Sequence, residues 1–199
     1  MTSAGIAEAA AGSIWSRRFL WVTLGSTALV FLAAVESLAV TTVMPVISAQ
    51  LDGAALYAAA FAGTLATSVI GMVAAGVLSD RVSPIVPLTG AVVMFVAGLL
   101  VAGLAPTMFV LVIGRLLQGF GVGGQVVTLY VVVARVYPPG LHGRLFAVYA
   151  ASWIVPSFVG PFAAGLVAQF IGWRWVFLGV AVLTALAYIA VTLPLRSID

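Results

Sequence analysis

The chain has no cysteine, no lysine, no asparagine and a single histidine, His142. Charge of either sign is scarce: 7% of its 199 residues are Asp, Glu, Lys or Arg, against about 25% in a soluble domain. Without lysine there is no GxxxxGK phosphate loop, so an ATP-driven motor subunit is excluded. Without cysteine, and with one histidine, a structural zinc site has no ligands to draw on. There is no GxSxG elbow, and His142 lies in a polar connection, so an intramembrane serine hydrolase lacks its nucleophile–base pairing. No enzyme activity and no cofactor are expected. The net charge of +3 comes from eight arginines, whose placement fits membrane topology better than nucleic-acid binding.

Apolar residues are what the chain has in abundance. They make up 64% of it, and the mean hydropathy is +1.27. That leaves too little polar surface to cover a water-soluble globule, so lipid must be the solvent for most of the chain. Roughly 20 apolar residues cross a bilayer core as a helix, and backbone groups in lipid must bond internally. The apolar runs predict an all-α membrane protein with spans at about 19–47, 56–78, 85–104, 107–134, 145–171 and 175–195. The turns fall at Asp52-Gly53, Ser79-Asp80-Arg81, Ala105-Pro106, Pro138-Pro139-Gly140 and Gly172. Residues 1–18 read as a cytoplasmic tail and 196–199 as a cytoplasmic end. The first run is too long for a signal-peptide core, and further spans follow it.

With six spans, both termini face one compartment. Arg17, Arg18, Arg81, Arg135, Arg144 and Arg196 fall on that side, and only Arg174 on the other. By the positive-inside rule both termini should be cytoplasmic, in a multi-pass protein of the plasma (inner) membrane. Shifted by 89 residues, Ala74-Ala75-Gly76-Val77-Leu78 falls on Ala163-Ala164-Gly165-Leu166-Val167, and Glu36 falls on Gln125. Three spans per repeat is an odd number, so the repeats would insert oppositely, as an inverted 3+3 repeat.

Four stretches carry a family resemblance. GVLSDRVSPIVPL (76–88) resembles the loop between the second and third helices of the major facilitator superfamily: Gly76, Leu78, Asp80, Arg81 and Leu88 match, and Ser83-Pro84-Ile85 replaces the family's basic tail. GRLLQGFGVGG (114–124) resembles the fourth-helix motif through Arg115, Gln118, Gly119 and Gly121. PSFVGPFAAG (156–165) resembles the fifth-helix antiporter motif through Gly160, Pro161 and Gly165; Pro156 and Ala164 depart from it. VESLAVTTVMP (35–45) is similar to the first-helix motif of the fourteen-helix drug:proton antiporter branch, with Glu36 for its Asp, Thr41 for its Asn and Pro45 matching. The resemblance implies the N-terminal six-helix half of a transporter that exports drug-like or amphiphilic small molecules against a proton gradient. Gly76, Asp80 and Arg81 would form its gating loop.

The residues suggest roles of their own. A charge at a helix centre costs about 2.5–3.5 kcal/mol on insertion scales and usually faces a cavity or a partner. Glu36 and Arg115 lie at similar depths, and Arg115, Gln118 and Gln125 share one helix face within about 80°. The expectation is a central cavity wall in which Glu36 takes up a proton or a cation. The competing role is an ion pair that merely holds two helices together, with interhelical hydrogen bonds from the glutamines. Small residues recur on the second helix (Ala59, Gly63, Thr67, Gly71, Ala75) and on the fifth (Ser152, Pro156, Gly160, Ala164, Ala168). In the family these helices face the other half, so the stripes suggest an interface with it; packing within this half is the alternative. Pro161 should kink the fifth helix near Ser157. His142 reads as a loop residue without a special role, and Trp153 as either a substrate-stacking or a packing residue. The resemblance implies a second six-helix half, supplied by missing sequence, a separate chain or a homodimer, with a fragment the favoured reading. A truncated, non-transporting membrane subunit is the alternative.

Overall fold

A computed structural model describes residues 13–17 and 19–195, the side chains of 193–195 excepted. Most of the expected tail at 1–18, including Arg18, lies outside the described residues, as do Arg196 and the end at 196–199. Among the described residues seven α-helices follow in order: α1 Leu20–Gln50, α2 Tyr57–Ser79, α3 Ile85–Gly103, α4 Met108–Val136, α5 Pro139–Ala151, α6 Ile154–Phe170 and α7 Arg174–Leu195. They make six stretches long and apolar enough to cross a membrane, α5 and α6 together forming the fifth, Pro139–Phe170. No strand occurs among the described residues.

The helix ends follow from local chemistry. Asp52 takes a left-handed φ of 48° after α1, a conformation that a short polar side chain tolerates. Gly172 ends α6 at φ 112°, its N–H sharing the Val167 carbonyl with that of Ile171, each at 2.9 Å, a closing pattern typical of a helix C-terminus. Pro106 does not begin α4; Thr107 caps it, its hydroxyl accepting the Val110 N–H at 3.4 Å.

The fifth span differs from expectation at two points. It begins at Pro139, ahead of residue 145; Pro139 sits in the first turn, where a missing N–H leaves nothing unmade, so the expected polar connection is largely helix and His142 lies within it. The helix then breaks at Ser152-Trp153, whereas α6 runs through Pro161. Pro156 accounts for this: with no N–H, it cannot bond the carbonyl four residues back, that of Ser152, and its ring crowds that carbonyl.

The helices pair in a pattern that respects the repeat. α4 packs mainly against α2 and α3; α1 packs against α7 and α6; α3 also meets α7. Exchanging spans one to three for spans four to six maps α2–α4 onto α1–α6 and α3–α4 onto α1–α7, and leaves α3–α7 in place, as an inverted repeat requires. The α2–α4 contact is especially close. A Cβ added to Gly71 would run into the Phe120 carbonyl, and one added to Gly119 or Gly123 into the carbonyls of Thr64 or Ser68. Thr67 Oγ1 donates across the same contact to the Leu116 carbonyl at 2.8 Å. The second-helix stripe is therefore spent inside this six-helix unit, through Gly63, Thr67 and Gly71 against α4. On the fifth span, Pro156, Gly160 and Ala164 are buried, and Gly160 faces Val35 and Leu38 of α1. Both stripes serve packing within the unit, because small residues are what allow backbones to approach this closely.

The two ends of the bundle are laced by polar side chains. At the end carrying the termini, Thr23 donates to the Ile14 carbonyl and shares a bond with the Tyr137 hydroxyl, both at 2.8 Å. Tyr137 stacks on Phe19 at 4.8 Å. Burial pushes its phenol above the usual range, against a smaller opposing pull from Thr23, so it stays protonated. At the other end Trp173 Nε1 donates to Gln50 at 2.8 Å, and Arg174 donates to the Ala105 carbonyl at 3.1 Å while lying over the Trp173 ring.

Candidate functional site

Glu36 lies near the middle of α1, roughly 21 Å of helix from its Gln50 end, and Arg115 roughly 10 Å into α4 from Met108. The helices run in opposite directions and touch over only a short stretch. Between them the Arg115 guanidinium donates through Nη1 to Glu36 Oε1 and to Gln118 Oε1, the latter at 2.5 Å. The Arg115–Glu36 contact is a salt bridge. Glu36 is 3% and Arg115 4% exposed, so both charges are out of reach of solvent and lipid. In so apolar a setting each charge depends on the other, since an unpaired buried charge is strongly destabilising.

Gln118 and Gln125 are also buried. The Gln118 amide nitrogen, both polar atoms of Gln125 and Arg115 Nε make no hydrogen bond. The structure thus brings Glu36, Arg115 and Gln118 into direct contact and encloses Gln125, all four side chains being buried. Gln118 packs on Gly98 of α3, and α7 lies against both α1 and α3.

An open cavity does exist, elsewhere. It lies between α1, α4 and α5, with a volume of about 260 Å³, and its walls include Val30, Tyr130, Phe146, Tyr149 and Trp153. Of these only Trp153 was noticed in the sequence. Aromatic residues in apolar helices carry no pattern that separates a cavity wall from ordinary packing.

The other motif residues stand apart. Gly76 lies in the last turn of α2, and Asp80 and Arg81 are exposed just beyond it. The turn they occupy is tied down by Arg135 from the end of α4, which donates to the Ser79 carbonyl at 2.6 Å and the Val82 carbonyl at 3.4 Å. From sequence, Arg135 served only the count of charges; its grip on the loop depends on the α2–α4 contact. Gly160 is buried against α1, whereas a side chain at Gly165 would meet open space. Among the described residues no three His, Cys, Asp or Glu side chains gather as a metal site would need.

Comparison with known proteins agrees with this architecture. The family model of the Major Facilitator Superfamily matches residues 4–198. An MFS-type transporter of Mycobacterium tuberculosis is 36% identical over 169 residues, covering 81% of this chain and 25% of the relative. One of Schizosaccharomyces pombe is 33% identical over 164 residues, covering 81% of the chain and 28% of the relative. The chain therefore spans about a quarter of the length of these relatives. The crystal structure of a D-xylose-proton symporter superposes with a TM-score of 0.70 at 20% identity, over 91% of this chain and 48% of that one; at that identity the likeness is one of fold, and it places these six helices on half of that fold. The chain belongs to the major facilitator superfamily.

Proposed function

We propose that this six-helix unit is the N-terminal half of a proton-coupled antiporter that exports drug-like or amphiphilic small molecules. In this reading both termini lie in the cytoplasm, the protein sits in the plasma (inner) membrane, and a second six-helix half completes the transport path. The proton gradient is the energy source, and no cofactor takes part. The observation that carries the reading is the Glu36–Arg115–Gln118 contact buried at mid-span between α1 and α4. A proton arriving on Glu36 removes its negative charge and with it most of the attraction for Arg115. The guanidinium is then left buried without a counter-ion, which favours a conformation that re-solvates it. Loss of the proton reverses the change. A pair of this kind converts one protonation event into a change in how α1 and α4 sit together, which is what coupling needs.

A second reading draws on the depth of the same pair. Both side chains are enclosed within this unit alone, as a purely structural clamp would be. Reconstituting the complete transporter, this chain with its second six-helix half, in liposomes and following substrate-driven dissipation of an imposed pH gradient separates the two. Coupling predicts that Glu36→Gln abolishes the proton flux. A clamp predicts flux equal to that of the parent chain, with reduced stability as the only effect.

A further inference from the structure

α2 and α3 both pack along α4 but meet each other only lightly, and a groove opens between them. α4 floors it with Phe120 and Gly124, and its walls come from small residues, Ala74 and Ala75 of α2 and Gly90 and Ala91 of α3. Ala75, Ala91 and Gly124 are buried at the bottom, whereas Ala74 and Gly90 on the rim are exposed. No side chain at Gly90 reaches across to close the slot, and a Cβ added there would meet no atom within 4 Å. Every lining residue is apolar.

The groove has a charged mouth. Leu78, in the last turn of α2, and Val86, in the first turn of α3, line one end, so the turn at 80–84 stands over it. From there the groove runs about 12 Å into the span, the rise from Ser79 back to Gly71. Arg81 is exposed on that turn. Arg135 reaches the same turn from α4, donating to the Ser79 carbonyl at 2.6 Å and the Val82 carbonyl at 3.4 Å. Asp80, also exposed, is the one acid in the turn. Two arginines against one aspartate leave the mouth net positive.

From these features we propose that the groove seats one acyl chain of an anionic glycerophospholipid from the leaflet on the termini's side, with the lipid phosphate drawn to Arg81. The size of the slot favours a chain over a ring. A dry cavity of about 150 Å³ takes up benzene, and this one, drawn out along two helices, holds about 110 Å³. Its chemistry disfavours an extended peptide, whose backbone groups would find no hydrogen-bonding side chain there. The net positive mouth sets the headgroup, since each arginine at a membrane surface strengthens attraction to anionic lipid about fivefold. The site is independent of the proton coupling proposed above.

Native mass spectrometry of the complete transporter, this chain with its second six-helix half, counts the lipids retained after delipidation and re-addition. Dioleoylphosphatidylglycerol and dioleoylphosphatidylcholine are the probes, because they share their chains and differ in headgroup charge. The parent should retain one more phosphatidylglycerol than Gly90→Leu, and bind it at least about fivefold better than phosphatidylcholine. Gly90→Leu fills the slot from a position where a Cβ meets nothing, so the fold persists; thermal unfolding checks that it does. Gly179→Leu on α7, where a Cβ also meets nothing, lies outside the groove and should bind lipid as the parent does. Arg81→Gln should weaken phosphatidylglycerol about fivefold and leave phosphatidylcholine unchanged. Equal retention of the two lipids, unchanged in Arg81→Gln, would make them ordinary boundary lipid and overturn the proposal. Undiminished retention in Gly90→Leu would place the lipid elsewhere and overturn it too. So would a lipid that is held by this chain alone but absent from the complete transporter, because the second half would then cover the groove.

Discussion

At the scale of single residues, Glu36 and Arg115 illustrate how a charge in an apolar run announces itself. Each is so costly in lipid that a partner or a cavity could be expected of it, and the structure supplies the partner. Replacing Arg115 by leucine leaves Glu36 buried and uncompensated, with an expected loss of about 3–5 kcal/mol of stability. The double replacement Glu36→Gln with Arg115→Leu removes the orphaned charge and should recover most of that loss. Denaturation of the purified proteins in detergent checks this, and equal destabilisation in the single and double variants would show that the ion pair is not the cause. The residues that sequence could not reveal are those whose roles arise from neighbours distant in the chain. Arg135 grips carbonyls at and just beyond the end of another helix, and nothing local in the sequence signals it.

At the scale of elements, helix existence and order were legible because long apolar runs leave the backbone no choice but to bond internally. What periodicity left open was the direction each face turns. The small-residue stripes were visible, but a stripe states only that something approaches closely. The Gly71, Gly119 and Gly123 contacts identify it as a helix of the same unit. The break in the fifth span is a related case: two prolines stood in the run, and the one that interrupts the helix is Pro156, near the start of α6, rather than Pro161 within it. A glycine pair tests this packing. Gly123→Ala places a methyl group against the Ser68 backbone and should cost about 1–3 kcal/mol, as overpacking usually does. Gly165→Ala meets open space and should leave stability unchanged or raise it by about 0.5–1 kcal/mol, the ordinary helix preference for alanine. Thermal unfolding of the two variants decides, and equal effects would contradict the close α2–α4 approach.

At the scale of the whole molecule, the pairing pattern divides the bundle into two triplets related by exchange, with α1 and α4 in corresponding places. A salt bridge joins Glu36 of α1 to Arg115 of α4. A proton on Glu36 therefore acts where the two triplets meet, and the account stands or falls on whether that proton arrives. Infrared difference spectroscopy of the chain in lipid, recorded across a pH titration, reads this directly through the C=O stretch of a protonated carboxylic acid in an apolar setting. The account predicts such a band in the parent chain and its disappearance in Glu36→Gln. A parent chain without the band at any pH at which it stays folded, or a band that persists in Glu36→Gln, would contradict it.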